Sequence, residues 1–359
     1  MNDPDLISAE TKAMQRAMPM TRLLDCGMDY ADAAALVART SAGEKWDCVA
    51  EALAGRQSAR ATEAANAGFF ITAREAREAA IGCLIFAQMA FNFDVPRKRS
   101  LYARVKEGGQ ELVAASGGKL QRIELPHAGS TLVGWLMRPA GSCASACVIV
   151  FGGQSGWGLA YLPAARALAA RGIATLLAEG PGQGETRIAY GLHVDGDVPS
   201  AYTAFVQHLR NAHKFSSIGV WGNSFGGLWA AKAAAHDHRV DACCINGAFA
   251  APQVFTFRTA AEQSQAMLGI HDDQAVQANF DRMRWNSDND RIACPLLVLH
   301  GGSDPLVQLE DQQPFANSAT TPDVTFKIWS DGEHTIYNHA SERTALVADW
   351  FASRLSANS

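Results

Sequence analysis

Gly222, Asn223, Ser224, Phe225 and Gly226 spell G-x-S-x-G between the apolar run IGVW and the helix-forming run LWAAKAAA. The letters alone are a weak signal; their place between a strand-like and a helix-like segment gives them chemistry. So tight a strand-to-helix turn predicts a serine in a strained conformation with its hydroxyl exposed. Flanking glycines are needed there because side chains would collide with neighbouring backbone. The helix that follows aims its positive end at the site. A serine hydroxyl is a poor nucleophile until a base takes its proton, and the base needs an acid that fixes its tautomer and stabilises its charge. The expected chain order is Ser, then Asp, then His. Asp304, in HGGSDPLV after the run LLVLH, and His334, in SDGEHTIYN after VTFKIW, satisfy it.

Other residues compete for these roles. Asp331 and Glu333 share the loop of His334 and read as solvated or turn-forming, and Asp288 and Asp290 precede a strand instead of following one. His300 ends a strand, His339 lies five positions beyond His334, and His236 and His238 read as exposed residues after a helix. The oxyanion of a tetrahedral intermediate needs two preorganised donors, one from the residue after the nucleophile and one from the loop after the third strand. Phe225 supplies the first. FGGQSGWG supplies the second, with Gly153 preferred and Gln154 as the alternative donor. The glycine-rich AEGPGQGET, Ala178 to Thr186, lacks the GxxxxGKS/T lysine and hydroxyl of a phosphate loop and reads as a tight turn shaping the same end of the sheet.

These residues need elements to hold them, and the chain changes grammar near residue 118. Residues 1–118 are rich in Ala, Arg and Glu, with helical periodicity over Asp29 to Arg39, Glu44 to Ala65 and Leu101 to Ala115. The clearest helix is expected to open at Thr72 in a capping box with Glu75, placing Ile81, Leu84, Ile85 and Met89 on one face. Residues 119–359 instead show short apolar runs: Leu120 to Leu125, Thr131 to Met137, Cys147 to Phe151, Ile173 to Ala178, Ile218 to Trp221, Ala242 to Asn246, Leu296 to His300 and Val324 to Trp329. The first two read as a hairpin turning at HAGS. From Cys147 on, strands alternate with helices such as Tyr161 to Ala170, Ala201 to Ala212 and Phe225 to Ala235, the pattern of a doubly wound, mostly parallel α/β sheet. Ligands bind beyond the carboxyl ends of such strands. Residues 247–290 exceed what one crossover helix needs and are a candidate lid, or simply two packed helices.

Composition narrows the function classes. With 48% apolar residues and a formal net charge of −5 over 359 residues, the chain can bury a large core and offers no basic footprint for nucleic acid or an anionic membrane, which leaves a small-molecule substrate as the expected partner. The start, MNDPDLISAETK, has no apolar core of a secretory signal, and Ala79 to Phe91 is too short to span a bilayer, so a cytoplasmic chain is expected. Eight scattered cysteines (Cys26, Cys48, Cys83, Cys143, Cys147, Cys243, Cys244 and Cys294) show no CxxC or zinc spacing and are read as reduced, small buried hydrophobes. Neither a metal nor an organic cofactor is called for.

Gly152, Gly153, EGPGQGE, GNSFGG, HGGSDPLV and DGEHTIYN together resemble a group of α/β hydrolases with an N-terminal helical domain. The group includes 2,6-dihydroxypseudooxynicotine hydrolase, fungal polyketide chain-shortening hydrolases and the fermentation-respiration switch proteins. GPGQGE and the His334-x-x-x-Asn338 pattern are the motifs most specific to it. The resemblance implies an α/β-hydrolase fold, Ser224, Asp304 and His334 as a triad, a helical cap over residues 1–118, a homodimer, and hydrolysis of a carbon–carbon bond next to a carbonyl in an acyl-aromatic or polyketide-like molecule. It also implies an additional acid after the strand that follows the nucleophile helix, yet Gly247 to Thr259 holds no Asp or Glu. The same triad would serve a carboxylesterase or thioesterase, and a catalytically silent ligand-binding or regulatory protein is the reading from another class.

Overall fold

The computed structural model describes residues 8–141 and 144–355, so Cys143 and the first seven residues of the polar start lie outside the described residues. The chain divides into two compact units, one formed by residues up to Gly118 together with Leu159–Pro163, the other by Lys119–Gly158 and Ala164 onward.

Among the described residues the first unit is helical: α1 Ala9–Ala17, α2 Met20–Asp25, α3 Tyr30–Ser41, α4 Trp46–Asn66, α5 Phe70–Gln88 and α6 Pro96–Ala115. Small residues let its helices approach closely. A Cβ on Gly82 of α5 would sit 3.0 Å from the backbone of Gly27, and the Trp46 indole donates to the Phe86 carbonyl at 3.1 Å. Ile81, Leu84, Ile85 and Met89 are all buried. Two expected boundaries move. Helix α5 opens at Phe70, with Phe69 at its N-cap and no side-chain cap, so Thr72 lies inside the first turn and makes no capping box with Glu75. The preceding turn is the reason: α4 ends with Gly68 at φ 78°, its N–H donating to Ala65 and that of Phe69 to Ala64. This Schellman closure hands the chain directly to the next helix. Helix α6 starts five residues before Leu101, at Pro96, whose fixed φ suits a first helical position.

The second unit carries one eight-stranded sheet: β1 Leu120–His127, β2 Ser130–Met137, β3 Ala146–Phe151, β4 Ala174–Glu179, β5 Ser217–Asn223, β6 Ala242–Asn246, β7 Leu296–Gly301 and β8 Val324–Trp329. The strand order is β1-β2-β4-β3-β5-β6-β7-β8. The β1–β2 hairpin pairs His127 with Ser130 across Ala128 (φ 48°) and Gly129 (φ 74°), the two positive-φ residues that a two-residue turn requires. Strands β1 and β2 run antiparallel to their neighbours, and β3 to β8 pair in parallel. The connecting helices are α7 Leu162–Ala169, α8 Gly184–Ile188, α9 Val198–Asn211, α10 Phe225–His236, α11 Arg258–Leu268, α12 Asp273–Met283, α13 Leu309–Asn317 and α14 Ala340–Leu355.

Alternation along buried strands sorts the core onto the two faces of the sheet. Cys147, Ile149 and Phe151 of β3, Val220 of β5 and Cys243 and Ile245 of β6 join one cluster with Phe205, Phe225 and Trp229 from α9 and α10. On the other face, a Cβ on Gly219 would lie 2.6 Å from the Phe351 ring of α14, so that helix packs directly on backbone. Residues 247–290 hold α11 and α12, whose Met267, Val276 and Phe280 are wholly buried in the first cluster. Among the described residues no helix is long and apolar enough to cross a membrane, and no group of three or more His, Cys, Asp or Glu is placed to hold a metal ion.

Candidate active site

Ser224 sits between β5 and α10 at φ 55°, ψ −128°. For a side chain with a Cβ this is costly backbone, of the order of 1–3 kcal/mol, and it persists only where the surroundings over-determine it. Three contacts do so. The Ser224 N–H donates to the Asn246 carbonyl at 2.8 Å, extending the β5–β6 ladder. A Cβ on Gly222 would lie 2.0 Å from the Gly226 carbonyl oxygen, and one on Gly226 would lie 2.4 Å from that of Gly152. The glycines on either side of the motif are thus where backbone meets backbone.

His334 and Asp304 come to this serine from the two strands at the far edge of the sheet. His334 Nε2 is 3.0 Å from Ser224 Oγ, and His334 Nδ1 is 2.8 Å from Asp304 Oδ2. The Asp304 carboxylate is fully buried and also accepts the N–H groups of Leu306 at 2.8 Å and Val307 at 3.1 Å through Oδ1. An ionised carboxylate only accepts, so each of these hydrogen bonds is donated to it. Its His334 partner carries the ring proton on Nδ1, and Nε2 is left to accept from the serine hydroxyl.

The loops bearing these two residues are zipped together. Gly302 N–H donates to Trp329 and Ser303 N–H to Gly332, at 2.7 and 2.9 Å. A Cβ on Gly301 would lie 2.4 Å from the Glu333 carbonyl oxygen. Beyond His334 the chain passes through Thr335 (φ 51°) and Ile336 (φ 63°), both left-handed. The Thr335 carbonyl that results accepts from Asn246 Nδ2 at 3.0 Å and Arg343 Nη1 at 2.8 Å. Asn338 closes the loop, accepting from Glu333 N–H and donating to the Asp331 carbonyl, both at 2.8 Å.

The competing residues have other partners. Asp290 is buried against Lys232, His236 and the Asn286 N–H. Asp331 pairs with His339 at the surface. His300 is buried, and its Nδ1 accepts from the Gln312 amide at 2.8 Å.

Gly153 lies against Ser224: a Cβ there would be 2.8 Å from Ser224 Cβ and 3.2 Å from its Oγ. Phe225 is the first residue of α10, so no helical carbonyl reaches its N–H. Its ring is buried against Phe249 and Phe280, with centroids 5.3 and 5.1 Å away. Gln154 turns its side chain to α11, donating to the Ala260 carbonyl at 3.0 Å and to the Ser264 hydroxyl. A serine hydroxyl, an imidazole, a buried carboxylate and the backbone of the β3 loop thus stand side by side.

Two buried residues escaped the sequence reading. Glu179, at the end of β4, accepts from Gly158 N–H at 2.9 Å and Glu185 N–H at 2.7 Å. Gln183 donates to the carbonyls of Gly152 and Gly153 at 2.6 and 2.9 Å. Both belong to the segment read as a shaping turn. The turn is there: Gln183 N–H donates to the Gly180 carbonyl, with Pro181 and a positive-φ Gly182 at its centre, the type II pattern. The polar side chains inside it were the available signal.

The profile of the prolyl oligopeptidase family matches residues 163–358. The chain is 26% identical over 354 residues to the 2,6-dihydropseudooxynicotine hydrolase of Paenarthrobacter nicotinovorans, an alignment spanning 96% of this chain and 94% of that protein. Among solved structures, 2,6-dihydroxy-pseudo-oxynicotine hydrolase superposes with a TM-score of 0.83 at 24% identity, over 94% of this chain and 95% of the other. AbyA5 superposes with a TM-score of 0.64 at 18% identity, over 84% and 88%.

Proposed function

Because the chain belongs to the prolyl oligopeptidase family and is an α/β-hydrolase-fold enzyme, we propose that it hydrolyses a carbon–carbon bond next to a carbonyl, with Ser224 as nucleophile, His334 as base and Asp304 as the acid that orients it. The observation that carries the serine chemistry is the hydrogen-bonded run from Asp304 through His334 to a serine held at positive φ. The family match begins at residue 163, whereas the likeness to the dihydropseudooxynicotine hydrolase runs through the helical first unit as well. The substrate class therefore follows the longer likeness: a small acyl-aromatic or polyketide-like ketone.

Ser224 Oγ adds to the carbonyl carbon while its proton passes to His334 Nε2, and the imidazolium is stabilised by Asp304. The oxyanion is taken by the N–H of Phe225 and one from the Gly153–Gln154 loop. Collapse breaks the carbon–carbon bond, its electron pair leaves on the electron-rich ring or enol carbon, and a proton returned from His334 quenches it. Water then hydrolyses the acyl-enzyme by the same base. A second reading, ester or thioester hydrolysis, is favoured by one observation: Gly247 to Thr259 offers no carboxylic acid to assist a carbon leaving group. Oxygen and sulfur leaving groups need no such help.

A fluorophosphonate tests the first half, with intact mass read on the wild type and Ser224→Ala. One adduct is expected on the wild type and none on the variant; an adduct that survives in the variant removes Ser224 from the role. Parallel turnover of acyl-aromatic ketones and simple aryl esters tests the second half. Fast esters with inert ketones would move the assignment to the esterase reading.

A further inference from the structure

The geometry points to Gln183 as the residue that aims the oxyanion donors of the β3 loop, a positioning role that rests on the proposed serine chemistry. Its amide nitrogen donates to two consecutive carbonyls, Gly152 at 2.6 Å and Gly153 at 2.9 Å. No peptide bond among the described residues is cis. In a trans peptide the C=O of one residue and the N–H of the next point in opposite directions. Holding the Gly152 carbonyl therefore sets the direction of the Gly153 N–H, and holding the Gly153 carbonyl sets that of the Gln154 N–H. These are the two candidate donors, and both are turned away from Gln183 by a single side-chain amide.

Gln183 is itself held. It is 1% exposed, and its Oε1 accepts the Gly180 N–H at 3.2 Å, which orients the amide and leaves the NH₂ toward the β3 loop. Gly156 makes room for it, since a Cβ there would lie 2.6 Å from Gln183 Nε2. The second hydrogen bond on the Gly153 carbonyl, from Gly156 N–H at 2.9 Å, closes the loop but leaves the Gly152 carbonyl to Gln183. Two adjacent glycine peptides have little of their own to resist rotation. Preorganised donors stabilise the transition state because they need no reorganisation when charge develops.

Two variants separate this role from folding. Gln183→Glu keeps the acceptor for Gly180 and sets an oxygen against two carbonyls; Gln183→Met removes the hydrogen bonds without burying a charge. The readout is the second-order rate of Ser224 labelling by a fluorophosphonate across pH, with thermal midpoints recorded. In that step the Oγ–P bond forms, the P–F bond breaks, fluoride leaves and the serine proton passes to His334, while the phosphoryl oxygen takes the oxyanion position. The expected result is a plateau rate about 10- to 100-fold below wild type in both variants, with the pH profile unmoved in Gln183→Met, which adds no charge and leaves the Ser–His–Asp run untouched. Folded variants that label within about threefold of wild type, a Gln183→Met profile displaced along pH, or loss of folding in both would each overturn the role. A wild type that does not label at all overturns the serine chemistry first, so the two failures are distinct.

Discussion

His300 and His334 both end or follow a late strand, and a serine base could be read from either; what divides them is the set of groups around each ring. Around His334 stand a buried carboxylate on one side and a hydroxyl on the other. Around His300 stands an oriented amide: Gln312 accepts the Ala248 N–H with its oxygen and so donates to His300 Nδ1 with its nitrogen. That nitrogen is an acceptor and the ring is neutral. Burial holds the His300 imidazole below its ordinary value, although the charges of Asp304, Glu310 and Asp311 pull it upward. With the folded value depressed, the unfolded chain binds the extra proton first. The contribution of His300 to stability is therefore complete above about pH 6.5, the ordinary histidine value, and is lost as pH falls through the folded value. Urea unfolding at pH 7.5 and pH 5, in the wild type and His300→Gln, reads this part as the difference between the two proteins. The wild type is expected to lose more stability on acidification than the variant; equal losses would dismiss the linkage.

Among elements, backbone approach decides where glycine is required. The β7 and β8 loops touch at Gly301, where a Cβ would meet the carbonyl oxygens of Glu333 and Gly332 at 2.4 and 2.5 Å. Gly301→Ala is expected to cost about 1–3 kcal/mol by forcing the loops apart, and to slow fluorophosphonate labelling because Asp304 and His334 ride on those loops. Gly55, in the middle of α4, has open space around it, with no neighbour within 4 Å of where a Cβ would stand. Gly55→Ala is expected to stabilise by about 0.5–1 kcal/mol, as helical glycine gives way to a better helix former. Thermal midpoints of the two variants should move in opposite directions, and a stabilised Gly301→Ala would refute the packing argument. From the sequence, HGGSD reads as a loop able to point a carboxylate across the strand ends; in the fold its glycines serve close packing. The start of α5 shows the converse, where a plausible Thr72–Glu75 cap lost to a glycine turn a few residues upstream.

For the whole molecule, the strand order explains why the site forms where it does. From β3 the chain moves outward to β4, then returns to place β5 on the other side of β3. The loops leaving β3 and β5 therefore diverge from a common crevice, the switch point at which open α/β sheets bind ligands. Gly153 and Ser224 stand on those two loops. The cysteines report on the two units separately. Cys48 is exposed, while Cys83 in the first unit and Cys147, Cys243 and Cys244 in the second are buried. Burial also pushes the Cys294 thiol up to about 12. Iodoacetamide at neutral pH should modify Cys48 in the native protein and reach Cys83, Cys147, Cys243 and Cys244 only on opening of their units. Peptide mass spectrometry resolves each site, and a Cys243 that reacts as fast as Cys48 would contradict the packed sheet.

Much was legible in local pattern. The eight strand runs, the Ser–Asp–His order and the change of grammar at residue 118 each reflect short-range physics: period-two burial, a turn that tolerates only glycine neighbours, and helical periodicity before a glycine pair. These signals are written along the chain and need no partner to be read. The braces of the site are different. Asn246 reaches the Thr335 carbonyl across 89 positions, Gln183 reaches Gly152 across 31, and Gln312 fixes His300 across 12. Each is an ordinary polar residue in its own segment, and its role exists only where a distant carbonyl or ring must be satisfied once water has been excluded. Sequence by itself determined the strand runs and the order in which Ser224, Asp304 and His334 follow them; tertiary structure alone decided which buried hydrogen bonds hold them, because those partners are chosen by the packing of the sheet.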